Sequence, residues 1–260
     1  MSLTDEGHYG PKQLNLLEVV WGEGFLSPGG TEEIDEIVKN TNLEGKSILD
    51  IGCGCGGAAF HLIKKYKAKS VEGIDPEHLV IETAHKLAKK NNLSELATFK
   101  QIKPGPLKYA DGSFDVVFSK EAFLHIPDKK ALLEDVHRIL KPGGLIIVSD
   151  WMRMDDNPPS KQMQEYIAAE GLDMYMCSLK RYEQALKNAG FIDIVIKDRN
   201  AWYLNKAYKE LADIEGPLNK QVIEAIGPEE TAGAIDIWKK LIGVLEIGEH
   251  RPGHFKAVKK

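Results

Sequence analysis

The sequence predicts an α/β protein with a doubly wound sheet of seven strands, a helical cap and an N-terminal lid. Short apolar runs alternate with helix-spaced segments from 47 to 150, the pattern of parallel strands joined by crossover helices. A glycine-rich run, Gly52-Cys53-Gly54-Cys55-Gly56-Gly57, follows the first of those strands. The chain has 260 residues, 43% hydrophobic and 28% charged, which suits one α/β unit of generous size with a cap.

The elements follow in chain order. Residues 1–30 are the lid, with one apolar patch from Leu14 to Trp21 that reads as a helix between glycine-bearing loops. Thr31 reads as an N-cap, with Glu32 and Glu33 in the first turn and Ile34, Ile37 and Val38 on one face. Strands are expected at 47–51, 70–74, 98–102, 114–119 and 145–150, with helices at 58–66, 77–91 and 129–140 between them. A helix at 178–189 stops at Gly190, and 191–197 alternates as a strand. Two amphipathic helices are expected near 202–226 and 229–247, and 254–258 reads as the last strand. The expected organisation is one unit over 1–260. The core is 31–150, the cap insertions are 151–177 and 200–250, and 178–199 with 251–260 closes the sheet. His137 and Arg138 read as a solvated helix face.

Composition narrows the function classes. No apolar run approaches the roughly 20 residues needed to span a bilayer. The first residues lack a basic and apolar leader, so the expected location is the cytoplasm, with no membrane partner. A net charge of −5 does not favour nucleic acid, and a small-molecule partner is expected. The three cysteines do not form a disulfide framework. Cys53 and Cys55 lack a second ligand cluster at zinc spacing, so they read as small residues in a turn, and no metal is expected.

Gly52, Gly54 and Gly57 match G-x-G-x-x-G after a strand and before a helix. That spacing permits a tight turn and close backbone approach to a ligand. Nicotinamide enzymes share it, so Asp50 is the discriminating residue. A carboxylate there would sit beside a dinucleotide's pyrophosphate at a Coulomb cost, whereas a cationic sulfonium with a free amino group is attracted to it. Lys and Arg are absent from 47–61, so nothing there neutralises phosphate. Asp75 ends the second strand, before Pro76, where a carboxylate can accept both ribose hydroxyls.

At these residues the chain resembles the class I methyltransferases that use S-adenosylmethionine, whose core is a Rossmann-like sheet. Residues 49–57 are similar to that family's first motif, 73–75 to its second, 114–117 to its fourth, and 140–144 to the turn before its fifth strand. A closer resemblance, to phosphoethanolamine N-methyltransferases and relatives acting on sarcosine and dimethylglycine, is carried by 22–30 and by Ser119-Lys120-Glu121-Ala122-Phe123-Leu124-His125. The resemblance implies that 22–30 folds over the cofactor, with Leu26 and Ser27 touching it, and that Ser119 and Lys120 belong to the same cofactor site. It implies a catalytic pair, Tyr9 and His125, that shuts the site. It also implies that Glu121 lies near the substrate amine, where the phosphobase enzymes carry aspartate, and that Lys120 replaces their arginine.

The chain departs from this resemblance at named places. Lys103, between Ile102 and Pro104, stands where the family has an acid for the adenine amino group, which leaves a backbone carbonyl or Asp111 to accept that bond. Trp151 replaces a tyrosine, and with Glu121 it suits a cationic head group. Glu170 and Leu172 fall where an arginine and a tyrosine would grip phosphate, and neither binds an anion.

The expected reaction is methyl transfer to the nitrogen of a small amine or amino acid, ethanolamine-like or sarcosine-like, with His125 taking or relaying the proton. One alternative is carbon or oxygen methylation of a larger apolar acceptor, such as a quinol, in a pocket lined by Met152, Met154, Met163, Met174 and Met176. Another is a protein that binds S-adenosylmethionine without turning it over.

Overall fold

The computed structural model describes residues 9–260 of the chain; the start of the predicted lid, 1–8, lies outside them. Among the described residues seven strands form one sheet in the order β3-β2-β1-β4-β5-β7-β6. They are β1 (Ser47–Ile51), β2 (Ser70–Asp75), β3 (Ala97–Gln101), β4 (Phe114–Lys120), β5 (Leu140–Asp150), β6 (Phe191–Asp198) and β7 (Gly253–Lys259). The first five pair in parallel, and β7 inserts antiparallel between β5 and β6. Strand order reverses between β1 and β4, the switch point at which open α/β sheets leave a crevice beyond their strand ends.

Side-chain alternation explains the two covered faces. Ile48, Val116 and Ile147 point into one core, against the helices α2 (Gly30–Ile37), α3 (Gly57–Tyr66) and α4 (His78–Lys90). Leu49, Val117, Ile146 and Val148 point into the other, against α5 (Lys129–Ile139) and α7 (Leu179–Asn188). Neighbours along each strand therefore serve opposite cores, which is why these strands read as continuous apolar runs. Asp128 caps α5 and Ser178 caps α7, each accepting from a backbone N–H three residues on.

The cap consists of α6 (Lys161–Glu170), α8 (Asn200–Glu215), α9 (Asn219–Ile226) and α10 (Pro228–Glu246). Met163, Tyr166, Tyr203, Leu241 and Leu245 bury one cluster within it. A second cluster, around Ile214, Val222 and Trp238, takes in Leu16 of the N-terminal helix α1 (Pro11–Trp21). Trp21 and Trp238 both donate indole N–H bonds to buried Glu210, at 2.9 and 3.2 Å. Burial pushes the Glu210 carboxyl up to about 7. The lid helix is thus anchored to the cap.

Three expectations are corrected, and one element is added to the cap. The helix expected near 202–226 is two helices, because Gly216 leaves the helical region and Pro217 cannot continue the ladder. The region 151–177 contains α6, whose Ser160 cap and Met163, Tyr166 and Ile167 spacing form a stripe only three apolar residues long. Thr31 lies inside α2, which is capped by Gly29 at φ 89°. Strand β5 begins at Leu140, not 145, because Leu140 pairs with Phe114 before the register shifts across 141–144.

Candidate functional site

A cavity of about 940 Å³ lies beyond the ends of β1, β2 and β4. Its floor is the turn after β1. Gly52 and Gly54 sit there at φ 71° and 52°, in the left-handed region that side chains disfavour. A Cβ on Gly52 would lie 2.1 Å from that of Ala122. Gly57 has a different role: its N–H donates to the Gly24 carbonyl at 3.0 Å, and a Cβ there would meet that oxygen at 2.7 Å. The third glycine of the motif therefore admits the 22–30 segment, not a ligand. Leu26 and Ser27 of that segment line the cavity.

Two carboxylates sit under this turn. Asp75 accepts from the N–H of Gly54 at 3.1 Å and of Glu77 at 3.0 Å, and burial raises it to about 6. Asp50 is 1% exposed and its Oδ2 has no hydrogen-bond partner among the described residues. Burial, with a smaller contribution from the Asp75 charge, pushes it up to about 8. Asp50 is thus a neutral acid near pH 7, poised to ionise when a positive charge enters. Asp75 and Pro76 line the cavity, whereas Asp50 lies behind the lining. Ser119 is also behind it, donating to the Ile51 carbonyl at 2.7 Å and so tying β4 to β1.

The opposite wall is built from β4 and the segments that pack on its end. Lys120 donates to the Ser27 hydroxyl and to the Pro28 carbonyl at 2.8 Å, and stands 3.4 Å from Glu121 Oε1. It latches the lid segment over the cavity. Glu121 has φ 55°, held by its own N–H bond to the Ser149 carbonyl at 2.8 Å. The Tyr203 phenol donates to Glu121 Oε1, while Oε2 is buried with no hydrogen-bond partner among the described residues. Tyr203 was not singled out from sequence, because it lies within an amphipathic cap helix and only the fold brings it to Glu121.

Tyr9 and His125 line this same cavity. His125 Nδ1 faces the Asp173 carbonyl at 2.9 Å. A carbonyl only accepts, so Nδ1 carries the proton and Nε2 the lone pair. Burial lowers the imidazole pKa below 6.5, and the nearby Lys129 charge lowers it further. Lys129 is itself buried and donates to the Phe123 and Ile126 carbonyls, which holds the turn bearing His125.

Other sequence candidates are placed differently. Ile102, Pro104, Gly105 and Leu107 line the cavity, but Lys103 between them does not. Asp111 pairs with Arg138 and is 80% exposed, outside the lining. The acid at that end is Asp135, which lines the cavity, accepts the Leu107 N–H and pairs with Arg138 at 2.6 Å. Arg138 is no solvated face: it also donates to the Leu107 and Tyr109 carbonyls, stapling the loop after β3. Trp151 lies outside the lining because β5 directs it into the cap, 5.3 Å from the His250 ring and 6.4 Å from Tyr166. The three cysteines are buried and free. Among the described residues no cluster of His, Cys, Asp and Glu could hold a metal, and no helix is long and apolar enough to cross a membrane.

Such a cavity can hold an elongated ligand along the switch point and bring a second molecule to Glu121 and His125. A family model described as a methyltransferase domain matches residues 42–216. Phosphoethanolamine N-methyltransferase 1 of Arabidopsis thaliana is 34% identical over 98% of this chain and 51% of its own length. The chain spans about half the length of the curated plant relatives it matches. A Haemonchus contortus phosphoethanolamine N-methyltransferase 2, solved with phosphomonomethylethanolamine and S-adenosylhomocysteine, superposes with a TM-score of 0.90. It is 25% identical, over 99% of this chain and 59% of that one. A Galdieria sulphuraria structure described as a sarcosine dimethylglycine methyltransferase shares the fold at a TM-score of 0.81, with 20% identity over 96% and 97% of the two chains.

Proposed function

This chain belongs to the methyltransferase-domain family, and we propose that it transfers a methyl group from S-adenosylmethionine to the nitrogen of a small amine. The observation that carries the reading is one cavity joining the Gly52–Gly54 turn and Asp75 to Glu121 and His125. Asp75 would accept the ribose hydroxyls, and the Ile102, Pro104 and Leu107 wall would pack on adenine. Asp50, unpartnered below the turn, would ionise as the cofactor's cationic end enters and so supply the negative charge it favours. The lid residues Leu26 and Ser27, latched by Lys120, would cover the cofactor and exclude water. Neither Lys103 nor Ser119 lines the cavity, so a role for either in cofactor binding is indirect.

Bound S-adenosylmethionine supplies the sulfonium methyl that the acceptor's lone pair displaces. Glu121 Oε2 would take a hydrogen bond from the acceptor amine and orient it. His125, neutral near pH 7, has an Nε2 lone pair with which to remove the amine proton, and Tyr9 would close the site over the pair. Alignment of two reactants in such a site is worth on the order of 7–11 kcal/mol. A large apolar acceptor is disfavoured: Met152 and Met163 are fully buried in core and cap, and none of the five cap methionines lines the cavity.

The test is turnover of S-adenosylmethionine to S-adenosylhomocysteine with a panel of small amines and, separately, quinols and phenols. Methylated amine is expected. Turnover with quinols or phenols alone, or none with any acceptor despite cofactor binding, sinks the assignment.

A further inference from the structure

The charge around Glu121 narrows the acceptor class, on the premise that the chain is an N-methyltransferase. Glu121 lines the cavity, its side chain is 3% exposed, and its Oε2 is a buried acceptor without a partner. The adjoining wall is Gly171, Leu172 and Asp173, the residues that follow Glu170 at the end of α6. Glu170 is held near Tyr166, and burial raises it to about 7. Glu121 and Asp173 therefore favour a positive or proton-donating partner, and Glu170, brought close to neutral by burial, adds no cation.

Cations that could answer an anion are committed elsewhere. Among the described residues, the lysine and arginine side chains lining the cavity are Lys120 and Arg138. Lys120 is taken by Ser27, Pro28 and Glu121. Arg138 serves Asp135, Asp111 and two carbonyls. It also lies ten residues beyond Asp128 along α5, about 15 Å away by helical rise. His125 is neutral near pH 7. Arg153 and Arg199, on the cap side, are paired with Glu249 and Glu33 and lie outside the lining.

We infer that the acceptor is an amine bearing no anionic group, an amino alcohol or a diamine, and that phosphorylated and carboxylated amines are rejected. Beside the buried Glu121 a phosphate or carboxylate would lose its hydration without gaining a counter-charge, and at the exposed Asp173 it would meet a like charge. With its attacking amine at Glu121, an anionic tail reaching the 171–173 wall would meet Asp173 and no cation. This separates the chain from the Haemonchus contortus protein, which was solved holding a phosphorylated acceptor.

The test compares four acceptors: ethanolamine, 1,2-diaminoethane and phosphoethanolamine, which present a primary amine, and sarcosine, which presents a secondary one. Initial rates with S-adenosylmethionine give kcat/KM for each. Ethanolamine or the diamine is expected to exceed both anionic amines by about tenfold or more, the equivalent of one like-charge contact. Asp173→Lys keeps the backbone carbonyl that holds His125, adds a cation at the rim, and is expected to raise phosphoethanolamine relative to ethanolamine. S-adenosylhomocysteine binding to the variant checks that it is folded. A preference for phosphoethanolamine or sarcosine in the unmodified protein overturns the inference and leaves the N-methyltransferase reading standing. Methylation of none of the four, with a quinol or phenol accepted instead, overturns both.

Discussion

The Gly52–Gly54 turn and the wall bearing Glu121 and His125 line one cavity, yet they are assembled in opposite ways. The turn comes from a contiguous stretch, Asp50 to Gly57, plus the strand-end Asp75 one crossover away. Its geometry is set by backbone: positive φ at Gly52 and Gly54 and hydrogen bonds from Gly52 and Cys53 to the Ile74 carbonyl. The wall gathers Glu121 from just beyond β4, His125 from the following turn, Asp173 from beyond α6 and Tyr203 from α8. Its geometry is set by side chains and by how the cap docks. A backbone-made site tolerates little substitution, whereas a side-chain-made wall can change charge without disturbing the sheet. The difference explains how a chain can keep the methyltransferase core while altering what the acceptor end will accept.

Substitutions on the two sides should separate these behaviours. The largest effect is expected at the turn. Gly52→Ala would place a Cβ 2.1 Å from Ala122 at φ 71°. Calorimetry should find S-adenosylhomocysteine binding lost, with stability lowered by on the order of 1–3 kcal/mol. Retained tight binding would show that the turn is more compliant than its contacts suggest.

Next, His125→Ala is expected to lower kcat by about 10²–10⁴-fold while cofactor binding is unchanged. The wild-type rate should fall on the acid side, below pH 6.5, as the imidazole protonates, and the variant should lose that limb. An identical pH profile in the variant would remove His125 from proton transfer. Tyr9→Phe, measured alongside, reports whether the lid contributes to the same step.

A third measurement concerns protons at the turn. Burial and the nearby Asp75 charge push the Asp50 carboxyl up to about 8, which favours its protonated form at pH 7. A cationic ligand favours the ionised form, so binding releases a proton and affinity rises with pH up to about 8. Binding enthalpy measured in buffers of different ionisation heat should report up to about one proton released, and Asp50→Asn should abolish it. For folding the sign is set by the same shift. A carboxyl raised from 3.8 to about 8 contributes stability that is full below 3.8 and is lost as pH rises through 8.

The smallest effect is expected at Tyr203→Phe, which removes one hydrogen bond to Glu121 Oε1. The acceptor KM should rise by roughly two- to tenfold, the worth of one such bond, with kcat and cofactor binding little changed. A loss of cofactor binding instead would show that the wall and the turn are coupled.

Much of the core was legible because local chemistry decides it. Alternating strands, crossover helices, the glycine turn and the strand-end acid are written in spacing and residue type over 47–150. The reading is wrong or silent where the signal is short or ambiguous. The break at Gly216-Pro217 interrupts one amphipathic pattern, and α6 carries only three spaced apolar residues behind its serine cap. The site divided in the same way. Gly52, Gly54, Asp75, Pro104, Lys120, Glu121 and His125 could be placed by motif, and they line one cavity. Asp50, Lys103, Ser119 and Trp151 follow from the same motif positions, but their side chains lie outside the lining, because neighbours along a strand or loop point in different directions. Arg138 was misread because amphipathic spacing shows that a residue faces away from the core, not that a neighbouring loop folds over it.

By itself, then, the sequence determined the strand–turn–helix proposed to receive the cofactor, since a turn needing φ above zero restricts its own residues. It also determined that Asp50 lies next to that turn. Only the tertiary structure decided that Asp50 is buried without a partner, that Gly57 serves Gly24, and that Lys120 is spent on the lid. Only it brought Tyr203 to Glu121 across 82 positions of chain. Charge at a distance depends on who is near and how much water is excluded, and neither quantity is encoded in local spacing.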